Sequence, residues 1–331
     1  MKGTAAKGNI AVVGLGALNV DYLYKVERIL DDGEAVVEET RLCPGGSAAN
    51  TIYGLAKLGV STGYSGVVGD DNEGKMLLQN FQKVGVDISQ IRVKRGVKTG
   101  LVLCLSDRLG KRSLYVTPGA NNLLTMDDLD LTYINRVKWL HISSFADDRQ
   151  FQVLLELMDR LGSSTKVSFA PGVLHSAKRL EALTPILKRT HLLLVNQREI
   201  RHLTGKDVIA GAEICLKQGC HTVAVTLGKG ARLGLKSRTV TAIGYIRNAE
   251  NEYAIEPSSQ GTISEVDTTG AGDAFAAGFL YGLLKGRDLE ECGRLGDITA
   301  RFSITKIGAR EGLPTLNELS QRYRELYKRE L

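Results

Sequence analysis

Several things are scarce in this chain, and each shortage excludes a class of protein. Only five of the 331 residues are cysteine: Cys43, Cys104, Cys215, Cys220 and Cys292. Their number is odd, they lie far apart and no C-x-x-C pair exists. Neither a disulfide framework nor a thiolate zinc site is expected, which fits a reducing compartment. Long apolar runs are missing too. The run from Ile10 to Leu18 is too short to span a bilayer, and no small-residue cleavage site follows it, so the expectation is a soluble protein of the cytoplasm. Charge of one sign is not strongly in excess: 43 basic against 37 acidic residues leave +6. The densest basic stretch, Arg92 to Lys98, is interrupted by Gly96 and Val97 and has no aromatic interleaving. It reads as a solvated face, not as a nucleic-acid surface. A mild attraction for phosphate-bearing ligands is the more economical use of the surplus. The histidines are few and show no metal-ligand spacing at His175, His191, His202 or His221. His141, at the end of a strand, reads first as a core or rim histidine and second as a substrate contact.

What is present is alternation. IAVVGLG reads as a first strand, Ala48 to Leu58 as a helix with apolar residues at helical spacing, TGYSGVV as a strand and Gly74 to Val84 as a helix. VKWLHIS, KVSFA, HLLLVN and HTVAVTLG read as four later buried strands, separated by helical stretches such as Phe151 to Leu161 and Val208 to Gln218. The pattern predicts an α/β protein with a central, mainly parallel sheet flanked by helices. No repeat or linker divides it, so residues 1–331 are expected to form a single domain. Residues 22–42 and 99–117 break the rhythm. They read as short antiparallel strands, the second a hairpin turning near Arg108-Leu109-Gly110, and together predict a small β-sheet lid outside the main sheet.

Four glycine-rich stretches compete for a phosphate. GLGALN, from Gly14 to Asn19, begins like a dinucleotide fingerprint but has Asn19 at its third glycine position, so an NAD-dependent oxidoreductase is a minor alternative. GDDNEGKM has phosphate-loop spacing, but Met76 stands where a hydroxyl must meet magnesium. Asp70, Asp71 and Glu73 would also repel phosphate, so the loop is rejected. In DTTGAGDAFAAGF, by contrast, Gly270, Ala271 and Gly272 lead straight into a helical run. Unobstructed N–H groups at a helix start form an anion site. Asp273 beside them could take the proton of a substrate hydroxyl while the N–H groups hold developing phosphoryl charge. A plain strand-to-helix turn is the bland alternative. In CPGGSAAN, Gly45 and Gly46 permit close backbone approach and Asn50 can bond hydroxyls, so turn and ligand loop are both open. Asn19 and Asp21 add polar groups after the first strand.

PGGSAANTIYGLAKLG and DTTGAGDAFAAGFLYGLL, at this separation, resemble the two signatures of the ribokinase-like sugar kinases, the PfkB family. GVVGDDNEG, VNQRE and VTLGKG fall in the family's order, so the likeness covers almost the whole chain. The resemblance implies a ribokinase-like fold and an ATP-dependent kinase acting on a hydroxymethyl group of a sugar or sugar-like molecule. It implies Asp273 as catalytic base, with Gly270, Ala271 and Gly272 as anion hole. Asn19, Asp21, Gly45, Gly46, Ser47 and Asn50 would contact the acceptor. Asn196 and Glu199 would organise a Mg2+–phosphate network, and Thr226, Gly228 and Gly230 would form the nucleotide loop. Asp267 and Thr269, with backbone near Ser303 and Gly308, would hold a monovalent cation such as K+. The lid would close over the acceptor and pair with a second subunit as a homodimer. Ser47 replaces the lysine found there in ribokinase itself, and Ala170 stands where many members carry an aspartate. The acceptor is therefore open, and a nucleoside kinase, with Tyr22, Tyr24 and Leu103 covering a base, is the alternative within the family. A non-catalytic sugar-binding regulator would keep the acceptor contacts but lose the base or the anion hole, and both are present.

Overall fold

A computed structural model describes residues 9–109, 111–235, 238–257 and 264–331. Among these, nine strands form one sheet: β1 (Val12–Leu15), β4 (Thr62–Gly69), β5 (Asp87–Lys94), β8 (Trp139–Ser143), β9 (Lys166–Ala170), β10 (Thr190–Asn196), β11 (Thr222–Leu235), β12 (Arg238–Asn248) and β13 (Glu252–Ile255). Their order is β13-β12-β11-β10-β9-β8-β1-β4-β5. Every pairing from β11 to β5 is parallel, and β12 and β13 close one edge in antiparallel fashion.

The helices are α1 (Ser47–Lys57), α2 (Asn72–Lys83), α3 (Leu131–Ile134), α4 (Asp148–Arg160), α5 (Gly172–Ser176), α6 (Leu180–Arg189), α7 (Gln197–Thr204), α8 (Val208–Lys217), α9 (Ala271–Leu284), α10 (Leu289–Ser303) and α11 (Leu316–Tyr327). Side chains that take backbone N–H groups mark many of their starts: Asp71 for α2, Asp147 for α4, Asp207 for α8, Asp288 for α10 and Thr315 for α11. Such caps satisfy donors that a helix cannot satisfy internally.

Successive residues of a strand face opposite sides, so each strand feeds two cores. On β10, Leu193 and Val195 pack with α4, α6, α7 and α8 through Leu154, Ile186, Ile200 and Ala212. Leu192 and Leu194 pack on the other side with α1, α2, α9 and α10 through Ile52, Phe81, Phe279 and Leu295. The helices therefore cover both faces, as the alternation predicts. His141 is wholly buried, with Nδ1 3.0 Å from Ser168 Oγ, and burial pushes its pKa down to about 3. It is a neutral core histidine. No described helix is long and apolar enough to cross a membrane.

The second sheet comprises β2 (Asn19–Val26), β3 (Val37–Gly45), β6 (Gly100–Asp107) and β7 (Arg112–Thr117), in the order β3-β2-β6-β7. β2 begins before and β3 ends after the expected segment 22–42, whereas β6 and β7 lie within 99–117. As expected, β2–β3 and β6–β7 pair antiparallel, and the central pair β2–β6, which joins the two hairpins, is parallel. Both strands leave the main body in the same direction. Asn19 and Asp21, expected at the end of the first strand, belong to β2. Gly110 of the expected turn lies outside the described residues.

Candidate active site

The two rejected glycine stretches have structural jobs. A methyl on Gly14 would lie 2.4 Å from Ile52, so this glycine lets α1 sit against β1. Asp71 accepts the N–H of Gly74 at 2.9 Å and the N–H and hydroxyl of Thr99 at 2.8 and 2.5 Å, tying α2 to the start of β6.

The start of α9 is different. Asp267 accepts the N–H and hydroxyl of Thr269 at 2.9 and 2.6 Å and the N–H of Gly308 at 2.9 Å, which folds the chain back just before the helix. Gly270 follows with φ 75°, and a Cβ there would stand 2.4 Å from Ala309 Cβ, so only glycine fits. No side chain caps this helix. The N–H of Ala271 turns to Thr268 O at 3.2 Å. At Gly272 an added Cβ would meet nothing within 4 Å. The result is an uncapped, unobstructed helix N-terminus, the geometry that binds anions.

Asp273 stands in the first turn beside it. Ser47 Oγ donates to its Oδ1 at 2.6 Å and Asn50 Nδ2 to its Oδ2 at 2.8 Å. Two of the expected acceptor contacts, Ser47 and Asn50, thus engage the carboxylate directly. Burial pushes the Asp273 pKa up to about 6, the two donors and Arg310 pull it down, and Glu199 adds to the rise. Asp21 lies against Gly45, where a Cβ would be 2.3 Å from its Oδ1. Burial raises its pKa to about 7, with Arg310 opposing and Asp273 reinforcing. Asn19 is held by Asn121, whose Nδ2 donates to Asn19 Oδ1 at 2.9 Å.

Arg310 was not anticipated. It is 4% exposed and lies over the rings of Tyr53 and Phe81 at 5.3 and 5.2 Å. Nε donates to Asn50 Oδ1 at 2.8 Å, Nη1 to Asn80 Oδ1 at 2.7 Å and Nη2 to the carbonyl of Gly45 at 2.9 Å. Burial lowers its pKa to about 10, so it remains a cation at neutral pH. Because Arg310 can only donate, Asn50 must turn its oxygen to Arg310 and its NH2 to Asp273. The available sequence signal is an arginine set among small and apolar residues, IGAREGLP.

Asn196 and Glu199 form a capping box at α7. Asn196 Oδ1 accepts the N–H groups of Arg198 and Glu199, each at 2.9 Å, and Glu199 Oε2 accepts the N–H of Asn196 at 2.9 Å. Burial raises the Glu199 pKa. Both residues line a cavity of about 260 Å³ together with Ser47, Thr226, Gly272 and Asp273. A larger cavity of about 370 Å³ adjoins it, lined by Thr226, Gly228, Ile243, Gly244, Phe275 and Ile304, with Ala271 and Gly272 at its end. It opens where the β11–β12 ladder slips between Thr226 and Ala231. Gly230 lies in that slip but not among the lining residues. Near Asp267 and Thr269, the hydroxyl of Ser303 turns to Ala300 O at 2.8 Å, and Gly308 contributes its N–H. Among the described residues no group of three or more His, Cys, Asp or Glu gathers as metal ligands. Tyr22 and Leu103 pair across β2 and β6 on the face opposite Asp21, and the Tyr22 hydroxyl donates to Glu73 at 2.9 Å. Of the three residues expected to cover a base, Tyr22 and Leu103 therefore face away from Asp21, and Tyr24 lines a cavity between the lid and the loop before α9.

A buried carboxylate, a bare helix N-terminus and two adjoining cavities meet at the start of α9. The chain belongs to the pfkB family of carbohydrate kinases, whose model matches residues 9–316. It is a sugar kinase, an ATP-dependent phosphotransferase. It is 38% identical over 261 residues to a sugar kinase of Archaeoglobus fulgidus, covering 79% of this chain and 98% of the relative. It is 25% identical to the ribokinase of Haemophilus influenzae, with coverage of 92% and 95%. It is 27% identical to the ATP-dependent ribose-1-phosphate kinase of Halopiger xanaduensis, with coverage of 94% and 97%. The structure of Arabidopsis thaliana ribokinase with ribose and ATP shares the fold at a TM-score of 0.80, with 23% identity and coverage of 95% and 98%.

Proposed function

We propose that this kinase moves the terminal phosphoryl group of ATP to a hydroxymethyl oxygen of a sugar, with Asp273 as general base. The observation that carries the reading is the position of Asp273, gripped by Ser47 and Asn50 beside the uncapped start of α9. In this mechanism the acceptor hydroxyl is held by Asn19, Asp21 and the backbone at Gly45 and Gly46. Asp273 takes its proton as the oxygen attacks phosphorus, and the N–H groups of Gly270 and Gly272 stabilise the charge on the phosphoryl oxygens. The nucleotide occupies the cavity at Thr226 and Gly228, with Gly230 shaping the loop.

Glu199 has a second oxygen outside the capping box and a raised pKa that a cation would reverse. With Asn196 it fits a Mg2+ ion that keeps most of its waters, and such an ion would neutralise phosphate charge. Asp267 and Thr269 fit a monovalent cation less well. The carboxylate already accepts three donors, and the Thr269 hydroxyl accepts from Arg112 at 2.8 Å.

Ribose and ribose 1-phosphate, acted on by two relatives, are the first acceptors to test. A nucleoside is the second reading, since it presents a similar hydroxymethyl group. Screening sugars, sugar phosphates and nucleosides with ATP while following ADP release decides among them. ADP release with no acceptor at all would sink the reading. The protein would act as one kinase domain, in the cytoplasm, where its five free cysteines stay reduced.

The pH profile tests the base. The active form is the carboxylate, so kcat/KM is expected to plateau above about pH 6 and to fall about tenfold per unit below it. The Asp21→Asn variant removes the raised carboxylate among the acceptor contacts and should retain this acidic limb. A profile flat from pH 5 to pH 8 would remove Asp273 from the role.

We propose a homodimer through the lid's outer face. Leu103 and Tyr115 pair there in register, and Tyr115 is 58% exposed. A sheet this small needs a covering surface, and two-fold pairing supplies one. Light scattering is expected to give twice the chain mass, falling to one chain in the Leu103→Asp, Tyr115→Glu double variant. A monomeric wild type would overturn the idea.

A further inference from the structure

A third cavity, of about 540 Å³, lies between the lid and the loop before α9. Its lining meets that of the nucleotide cavity at Glu265 and Thr268. The register sets Glu39, Lys25, Ser106 and Arg112 in one row across the lid, on the face that carries Asp21. Charges around this cavity are mostly matched. Arg41 pairs with Glu39, Arg108 with Glu38, and Lys229 with Glu265 at 3.5 Å. Asp107 accepts the N–H groups of Ile29, Leu109 and Lys111. Asp267 accepts from Thr269 and Gly308, and Arg112, beyond ion-pair distance, still helps to hold its carboxyl low.

Two cations remain. Among the described residues neither Lys25 nor Arg112 has a carboxylate within ion-pair distance. Arg112, on the outermost lid strand, crosses the cleft and donates through Nη2 to Thr269 Oγ1 at 2.8 Å. Its other contact is the Cys104 thiol. Both acceptors are neutral. A guanidinium has five N–H donors in a planar fork suited to phosphate oxygens. Here most of those donors lack a charged acceptor, one residue from the anion hole. A cation held in this way has the chemistry of a site waiting for an anion.

We propose that Arg112, with Lys25 beside it, is a phosphate ligand carried by the lid. Its free N–H groups take the anionic oxygens of a phosphoryl group in the cleft, either the one in transfer or one that the acceptor already bears. The proposal rests on the kinase reading for the identity of the group, but its central test does not need turnover.

That test is titration of inorganic phosphate into the wild-type, Arg112→Met and Arg112→Lys proteins by calorimetry. Arg112 is exposed on the lid, so both variants should fold; melting curves verify this. Loss of a charged hydrogen-bonding partner is expected to weaken phosphate binding about tenfold in Arg112→Met and less in Arg112→Lys. Turnover with ATP then identifies the source. If the group is the one in transfer, Arg112→Met lowers kcat alike with ribose and ribose 1-phosphate. If the acceptor bears it, the variant raises KM for ribose 1-phosphate alone. Phosphate affinity equal in wild type and Arg112→Met overturns the proposal. Wild-type protein inert toward every acceptor counts against the kinase reading only, and a drop in phosphate affinity would still support Arg112.

Discussion

Replacing Asp273 with asparagine is expected to cut kcat by about a hundred- to ten-thousand-fold, while affinity for ATP and acceptor stays within a few-fold. The amide keeps the shape of the carboxylate: its oxygen can accept from Asn50 Nδ2 and its NH2 can donate to the Ser47 hydroxyl, the two partners that now donate to Asp273 at 2.8 and 2.6 Å. What it loses is the ability to take a proton, and with it the acidic limb of the pH profile. Rapid-quench turnover with separate binding measurements checks both halves of the expectation. A variant that keeps a tenth of wild-type kcat would show that the base lies elsewhere.

The second large effect belongs to Arg310. Arg310→Met keeps the packing against Tyr53 and Phe81 but strands three acceptors, Asn50 Oδ1, Asn80 Oδ1 and the Gly45 carbonyl. Each buried acceptor left unpaired costs about 1–3 kcal/mol, so a loss of roughly 3–5 kcal/mol in a urea unfolding series is expected. A structural role alone would end there. Arg310 also pulls the Asp273 pKa down and fixes the amide of Asn50. The variant should therefore shift the acidic limb of kcat/KM to higher pH as well as lower its plateau. Arg310→Lys keeps the charge without the fork, so it should lose stability while leaving the limb nearly in place. A urea midpoint equal to wild type, or an unmoved limb in Arg310→Met, would contradict this account.

The two residues differ in how far they could be read from the chain. Gly270 to Asp273 form their site within a single turn, where bare N–H groups and a carboxylate are set by local backbone chemistry. That chemistry was legible. Arg310 acts on Asn50 and Gly45, some 260 residues away along the chain, and no local spacing marks it among 43 basic residues. Asn196 and Glu199 show a third case. Their spacing of three suits a metal network and a helix capping box equally, and the hydrogen bonds reveal that the box is formed. The alternation that predicts the parallel sheet is likewise local, whereas the pairing of β2 with β6 is not.

That pairing governs how the lid comes into being. Between the partners Asn19 and Gly100 lie β3, α1, β4, α2 and β5, so the lid's central ladder carries the loop-closure cost of all that chain. The four strands of the lid come from two stretches of chain that exit the body side by side. They cannot be lifted out and grafted onto another scaffold as one insert, and a cut in the chain between Gly45 and Gly100 would break the covalent link between the halves of the sheet while leaving each hairpin whole.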